Sequence, residues 1–190
     1  IGLGGWSLTA HHVYDTSGKI LYRGDGRRFS ADTSRMGVID TFASDEGWNP
    51  GDDVGDGRLA TEADIDARGI AFGPDGSLYI ADGYNYRIRR VGLDGIITTM
   101  AGNGTFGYSG DGGPAVDAAI RPASIALAPD GALYIGEGVV IRRVSPDGSI
   151  DTVLGNNSGN TTGEGGPAAL ATCRHTGDMA VGPDGSLYWV

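Results

Sequence analysis

Histidine has the clearest potential for metal chemistry in this sequence, and it occurs three times, at His11, His12 and His175. Adjacent residues of an extended strand point to opposite sides, so His11 and His12 cannot both reach one metal ion if their segment is extended. At most two histidines could then share a site, whereas a catalytic zinc needs about three protein ligands. A metal-dependent lyase or hydrolase is therefore kept as the alternative hypothesis. No catalytic residue, metal or cofactor is assigned.

Carboxylates in glycine-rich segments could instead hold calcium. Asp52, Asp53 and Asp56 lie close together in sequence, and Asp111 lies in a similar segment. The EF-hand pattern is not met, because no Glu follows the glycine at the required spacing. Aspartate in such segments commonly hydrogen-bonds to the backbone of a turn. We therefore favour turn formation and leave calcium binding open.

Composition narrows the classes of partner. The chain has 14 Lys and Arg against 24 Asp and Glu, a net charge of −10 that disfavours nucleic acid as a partner. The single Cys173 excludes a disulfide within the chain. No apolar run approaches the roughly 20 residues that cross a bilayer, so we expect no membrane insertion by this segment. The first residue is Ile1 and not Met, and we expect a longer parent protein.

A repeat of about 55 residues organises the chain. At three places, 74–76, 129–131 and 183–185, a Pro-Asp-Gly triplet lies between a short apolar run and Leu-Tyr. Downstream, residues 87–91 match 140–144, and residues 97–102 match 150–155. The similarity fills the whole period, so each repeat is one structural unit.

Each repeat predicts four short strands. In the first clear copy, 69–72 is an apolar run, 77–81 and 87–91 alternate, and 96–100 is β-branched. The Asp-Gly pairs between these strands tolerate positive φ, as tight hairpins require. Four antiparallel strands per repeat are typical of a propeller blade. The sequence therefore predicts an all-β protein, a β-propeller with four-stranded antiparallel blades.

The repeat boundaries divide the 190 residues, all part of one propeller. Blade 1 is a diverged copy at about 1–66, blade 2 spans about 67–122, blade 3 about 123–176, and 177–190 begin blade 4. About three and a half blades are thus present. Propellers close with about four to eight blades, and we expect six. The rest of the ring is accordingly an expected partner.

Residues 78–89, Leu-Tyr-Ile-Ala-Asp-Gly-Tyr-Asn-Tyr-Arg-Ile-Arg, resemble the signature of NHL-repeat β-propellers. The next repeat departs from that signature, because Glu137 replaces Asp82, the Asn is missing and the turn is two residues shorter. The first 28 residues are similar to the segment that leads into the NHL region of teneurins and bacterial Rhs/YD-repeat proteins.

This resemblance implies a non-catalytic recognition or scaffold module of a large secreted or cell-surface protein. Its partner would be a protein or a glycan bound through loops, and the resemblance also allows a YD-repeat shell as a partner. The loops expected to carry these contacts are 45–64, 102–121 and 155–176, because rigid strands tolerate changes in loops.

The mouth of the central channel is the usual binding region of a propeller, and polar residues that precede the innermost strands differ from blade to blade. The candidates are Asp66, Arg68, Arg121, His175 and Asp178. Loop ends are also ordinarily solvated, which is the competing interpretation.

Two residue types recur at fixed positions of the repeat, which favours a role in blade architecture. They are the arginine pairs at 27–28, 89–90 and 142–143, of which the last two share one repeat position, and Tyr79, Tyr134 and Tyr188. We expect one arginine of each pair to pack its stem and keep its head in solvent. We expect the tyrosines to pack between blades.

Overall fold

The computed structural model describes residues 55–155, 163, 165–171 and 176–190, and four strands nearer the start of the chain. These strands are β1 (His12–Tyr14), β2 (Ile20–Arg23), β3 (Arg27–Phe29) and β4 (Ile39–Thr41). They form an antiparallel sheet in the order β1-β2-β3-β4. The diverged first repeat therefore has the four strands of a blade.

The second sheet contains β5 (Ala67–Phe72), β6 (Leu78–Asp82), β7 (Arg87–Val91) and β8 (Ile97–Ala101), paired in chain order. The Pro-Asp-Gly turn joins β5 to β6, and the Ser77 backbone N–H donates to Asp75 Oδ1 at 3.0 Å. Gly76 has a φ of +81°, the conformation for which the Asp-Gly pair was expected. The predicted strands are confirmed to within two residues.

The third sheet adds a fifth strand to the same pattern. It contains β9 (Gly113–Pro114), β10 (Ser124–Leu127), β11 (Leu133–Gly136), β12 (Ile141–Val144) and β13 (Ser149–Leu154), in the order β10-β11-β12-β13-β9. A hairpin of β14 (Met179–Val181) and β15 (Leu187–Trp189) follows. The described residues contain three short 3-10 turns and no α-helix. Accordingly, no helix in this part of the chain could span a membrane.

A crossing segment leads from each sheet into the next, and the first two of these segments cover the outer edge of the sheet that follows them. We define the crossing segments as residues 55–63, 110–118 and 163–171. In the first, Leu59 bridges to Ile96 beside β8, and in the second, β9 pairs with β13. Each contains a 3-10 turn, at Ala60–Glu62, Ala115–Asp117 and Ala168–Leu170. Part of the loops expected to bind partners thus has a repeated structural role.

The hydrophobic core lies between successive sheets. Buried Ala81 and Ile88 of the second sheet pack with Ile125 and Ile135 of the third, and β10 in turn contacts β14. Fully burying an aliphatic side chain contributes about 1.5–3 kcal/mol, so these faces stabilise the stack. The chain is an all-β propeller whose blades are these antiparallel sheets.

The recurrent tyrosines lie at these interfaces, with one exception. Tyr79 packs against the cluster between the second and third sheets, and Tyr134 packs beside Met179 and Leu187 of the last hairpin. Tyr188, by contrast, is 61% exposed among the described residues. The expected packing between blades holds for Tyr79 and Tyr134.

Candidate functional site

Buried arginines hold the first two crossing segments to the second and third sheets. Arg89 on β7 has no exposed side-chain surface, and its guanidinium contacts Asp56 at 2.7 Å and buried Asp82 at 3.3 Å. Asn85 Nδ2 donates to both carboxylate oxygens of Asp82, at 3.0 and 3.1 Å. The Asp66 backbone N–H adds a third hydrogen bond to that carboxylate, at 2.9 Å. Since a buried charge is tolerated only when it is well paired, this network is a structural requirement of the blade.

The next blade repeats the network with one acid exchanged. Arg142 on β12 donates through Nε to Asp111 at 3.0 Å and through Nη1 to the Ala119 carbonyl at 3.2 Å. Its Nη1 lies 3.9 Å from Oε1 of Glu137, which takes the place of Asp82. The Arg121 backbone N–H donates to Glu137 Oε2 at 3.0 Å. The three members of the network therefore keep their repeat positions.

These contacts confirm one expectation and correct another. One arginine of each pair keeps its head partly in solvent, as expected, and it is the second of the pair: Arg90 contacts Asp75, and Arg143 contacts Asp130. The heads of Arg89 and Arg142 are buried. The carboxylates of Asp56 and Asp111 pair with buried arginines and do not merely close turns. Of the other calcium candidates, Asp52 and Asp53 lie outside the described residues.

The exchange of Asp82 for Glu137 changes the acidity of the site. Burial raises the pKa of both carboxyl groups. Asp82 receives two hydrogen bonds from Asn85, but the shortened turn of the next blade has no Asn, and Glu137 Oε1 has no hydrogen-bond partner among the described residues. Burial, with a smaller contribution from the charge of Asp111, raises the pKa of Glu137 to about 7 against the opposing Arg121 N–H and Arg142. Glu137 therefore titrates near neutral pH.

The predicted channel-mouth residues form two separate groups. Arg68 Nε donates to Asp66 Oδ2 at 2.6 Å, and its guanidinium lies 4.7 Å from the ring centre of Tyr84. Arg121 instead lies over Phe106, with 5.6 Å between guanidinium and ring centre. Within the described part of the chain, no ion pair joins the two groups.

Of the two remaining channel-mouth candidates, the structure describes one. Asp178 is exposed, and its backbone carbonyl accepts a hydrogen bond from the Val190 N–H at 3.2 Å. His175 lies outside the described residues, as do His11 and Cys173. The residues that are described contain no group of three His, Cys, Asp or Glu side chains placed to hold a metal ion.

A hollow of about 350 Å³ lies at the opposite end of the innermost strands. It lies at the end opposite the channel mouth, where β5, β10 and β14 end at their Pro-Asp-Gly turns. Its lining residues are Phe72, Gly73, Pro74, Leu127, Ala128, Pro129, Val181, Gly182 and Pro183. None of these side chains ionises or acts as a nucleophile, so the hollow offers no acid–base chemistry.

An aromatic cluster stands at the channel-mouth end beside Arg121. The Tyr86 and Phe106 ring centres are 5.6 Å apart with the planes at 76°, and those of Phe106 and Tyr108 are 6.5 Å apart at 68°. Phe106 is 55% exposed. Edge-to-face geometry of this kind stabilises aromatic pairs. The cluster is therefore ordered although it faces solvent.

No protein-family model matches the chain. It is 26% identical to Teneurin-m of Drosophila melanogaster over 82% of its length, and 24% identical to human Teneurin-1 over 98%. The chain is similar to teneurins. It spans 8% and 9% of the length of these two relatives.

Solved structures support the same fold. A Bacteroides thetaiotaomicron protein of unknown function has a TM-score of 0.68 at 18% identity, covering 94% of this chain and 43% of that one. Virginiamycin B lyase from Staphylococcus aureus has a TM-score of 0.54 at 18% identity, covering 94% of this chain and 47% of the lyase. At such identities the likeness shows the fold alone, so the chain is best described as a teneurin-like propeller.

Sequence reasoning missed both main features of this teneurin-like propeller. The buried network had a detectable signal, because Asp56, Asp82 and Arg89 each have a counterpart about one repeat later, at Asp111, Glu137 and Arg142. The aromatic cluster could have been found from residues that do not recur. Phe106 and Tyr108 lie in a loop whose counterpart in the next repeat, residues 155–176, contains no Phe, Tyr or Trp.

Proposed function

We propose that the chain is a recognition or scaffold module of a large secreted or cell-surface protein of the teneurin-like and Rhs/YD-repeat kind. It binds a protein or glycan partner through its loops and packs against the rest of its own propeller. A YD-repeat shell is a further neighbour in the same proposal. Neither nucleic acid nor a catalytic role belongs to it.

One structural contrast carries this proposal. The repeated charged residues of the described blades are used in internal ion pairs, as with Arg89 and Arg142. The side chains that differ between blades are exposed at the channel-mouth end, as with Phe106 and Arg121. A rigid frame that presents variable loops suits recognition. Similarity to teneurins supports the same class of protein.

The test is binding of the fluorescently labelled 190-residue chain to intact cells of the source organism. We expect saturable binding that excess unlabelled chain displaces, together with antibody staining of the parent protein on cells that have not been permeabilised. Binding that does not saturate, or staining only after permeabilisation, contradicts the proposal.

Metal analysis tests the alternative of a channel enzyme. We expect the purified chain to retain less than about one tenth of an equivalent of zinc after dialysis against buffer without chelator. Stoichiometric zinc, with loss of that zinc in a His175→Ala variant, would favour a metal-dependent lyase or hydrolase.

A further inference from the structure

The aromatic cluster and its arginine form a continuous exposed surface. We define the aromatic platform as Tyr86, Phe106, Tyr108 and Arg121, which contact one another through Phe106. Phe106 and Arg121 are exposed, and the two tyrosines are half-buried. Exposed aromatic groups of this kind are enriched at protein interfaces, as is arginine.

Backbone conformation and hydrogen bonds fix the position of the platform residues. Tyr86 has a φ of 50° and, among the described residues, is the one residue other than glycine with a positive φ. The Tyr108 hydroxyl donates to the Glu137 carbonyl at 2.9 Å. Asn103 closes the loop between them, accepting from the Thr105 N–H at 2.8 Å and donating to the Asp117 carbonyl at 3.0 Å. Strained backbone persists where the surroundings over-determine it, and a preorganised surface loses less entropy on binding.

Blade architecture does not explain the platform. The turn that supplies Tyr86 is two residues shorter in the next blade and contains Glu137-Gly138-Val139 instead of aromatic residues. Of the two loops that correspond to the one supplying Phe106, residues 155–176 contain no aromatic residue, and residues 45–64 contain Trp48 alone. A feature required by every blade would recur, as the buried arginine network does. The platform therefore belongs to a role specific to this position.

Arg121 gives the platform a positive charge that no carboxylate neutralises within the described residues. Its guanidinium contacts the Phe106 ring, while Arg68, Arg90 and Arg143 at the surface each contact an aspartate. An exposed cation of this kind is notable in a chain of net charge −10. Arginine binds carboxylates and phosphates through two parallel hydrogen bonds, and the carboxylate is the one of these that an unmodified protein segment supplies.

The shape of the platform distinguishes between a peptide and a sugar. Its three rings meet at 76° and 68°, which makes the surface ridged. A pyranose ring stacks best on a flat and fully open aromatic face. Here the rings are already in edge-to-face contact with one another, so an aliphatic side chain of a partner would pack against the exposed part of Phe106. We propose that the aromatic platform binds a protein segment that presents an aliphatic side chain beside an Asp or Glu carboxylate. This inference rests on the proposed recognition function.

The probe is a random 12-residue peptide library displayed on phage and selected against the immobilised 190-residue chain. We expect enriched peptides to contain Asp or Glu next to Leu, Ile or Val, and to bind the Arg121→Gln chain at least tenfold more weakly. A synthetic copy with the acid changed to its amide should lose binding by about the same factor. Both changes, Arg121→Gln in the chain and acid to amide in the peptide, remove the same charge-assisted contact. The two changes together should therefore weaken binding only slightly more than either one alone.

Matched variants separate the platform from general surface effects. Phe106→Ala should weaken the selected peptide about tenfold, while Leu93→Ala, at a side chain 82% exposed in another turn, should leave it unchanged. Arg143→Gln controls for loss of a surface arginine. Should Phe106→Ala fail to fold, the Arg121→Gln comparison still decides, because the Arg121 side chain is exposed.

Three results with these binding probes overturn the inference. They are no enrichment over the Arg121→Gln chain, enriched peptides without an acid, and Phe106-dependent binding of a chitohexaose probe in place of peptides. Cell binding that persists in Arg121→Gln and Phe106→Ala likewise overturns the platform but leaves the recognition function intact. Absence of cell binding by the unaltered chain, with peptide binding retained, would instead remove the proposed function.

Discussion

The buried guanidinium of Arg142 and the carboxylate of Asp111, which are 31 residues apart in sequence, form an ion pair that ties a crossing segment to the middle of the third sheet. Arg89 and Asp56 make the same connection in the second sheet, at 2.7 Å. The second and third sheets thus each include a charged clasp, an ion pair between the third strand of the hairpin series and the segment that covers the outer edge. Removing either partner of such an ion pair should therefore lower the free energy of unfolding.

Removing the acid of this clasp should destabilise the protein. In Asp111→Ala, the buried Arg142 keeps only Glu137, at 3.9 Å, as a nearby acid. We expect a loss of about 1–3 kcal/mol in the free energy of unfolding, below the value for a fully buried pair because Asp111 is 48% exposed. Urea denaturation measures it. Asp117→Ala, on the same crossing segment, should stay within about 0.5 kcal/mol of the original; equal losses in both variants would contradict the clasp.

Stability should depend on pH through Glu137. Burial raises the pKa of Glu137 in the folded protein to about 7, whereas the unfolded chain ionises near the ordinary value of 4.5. The folded state therefore binds more protons between these values, and its stability falls as the pH rises from about 4.5 to 7. The slope attributable to this group is at most about 1.4 kcal/mol per pH unit.

The Glu137→Gln variant isolates that contribution, because glutamine stays neutral and can still accept from the Arg121 N–H. Denaturation at pH 5, 6, 7 and 8 should show the original protein losing stability relative to the variant as pH rises. Parallel profiles would mean that Glu137 titrates normally.

The Pro-Asp-Gly turns should resist β-branched residues. Gly131 has a φ of +85°, and an added Cβ would meet no atom within 4 Å. Any cost of Gly131→Val is therefore conformational, and we expect about 1–2 kcal/mol by thermal or urea denaturation. Gly131→Asn should lose less, because asparagine tolerates this backbone region. If the valine variant melts with the original protein, the turn assignment is wrong.

Close packing, in contrast, should dominate at Gly102, which follows β8. A Cβ there would overlap the Tyr86 carbonyl oxygen and lie 2.9 Å from Arg87 Cα. We expect Gly102→Ala to lose about 3 kcal/mol, since strain at a φ of +91° adds to overpacking. Gly112→Ala provides the control, because its φ of +78° is similar and its Cβ meets nothing within 4 Å. Equal losses would show that packing against Tyr86 is unimportant.

Much of the fold could be predicted from the sequence, because its determinants are local. The alternation within residues 87–91 predicts β7, and Asp75-Gly76 predicts the hairpin before it. The Pro-Asp-Gly turn recurs at 129–131 and 183–185, so the same strand and hairpin predictions apply to the later blades. The blade boundaries and the number of blades stay predictions.

The candidate site was less accessible from the sequence. Asp66 and Arg68 do meet, at 2.6 Å, but Arg121 turns to Phe106. Aligning the repeats places these residues at one end of the channel. The alignment does not show which side chains contact each other there, because those contacts depend on loops that differ between repeats. Whether Arg121 faces an acid or an aromatic ring depends on the course of residues 102–110, a loop without a close counterpart in the other repeats.

The sequence by itself determined the blade, because strand periodicity and turn chemistry act over a few residues and were repeated three times. Only the tertiary structure decided which acids neutralise Arg89 and Arg142, since Asp56 and Asp111 lie 33 and 31 residues away and arrive on crossing segments. It also decided the pKa of Glu137 and the exposure of Phe106. Burial and pairing are properties of the surroundings in space, and those surroundings form only when the sheets stack.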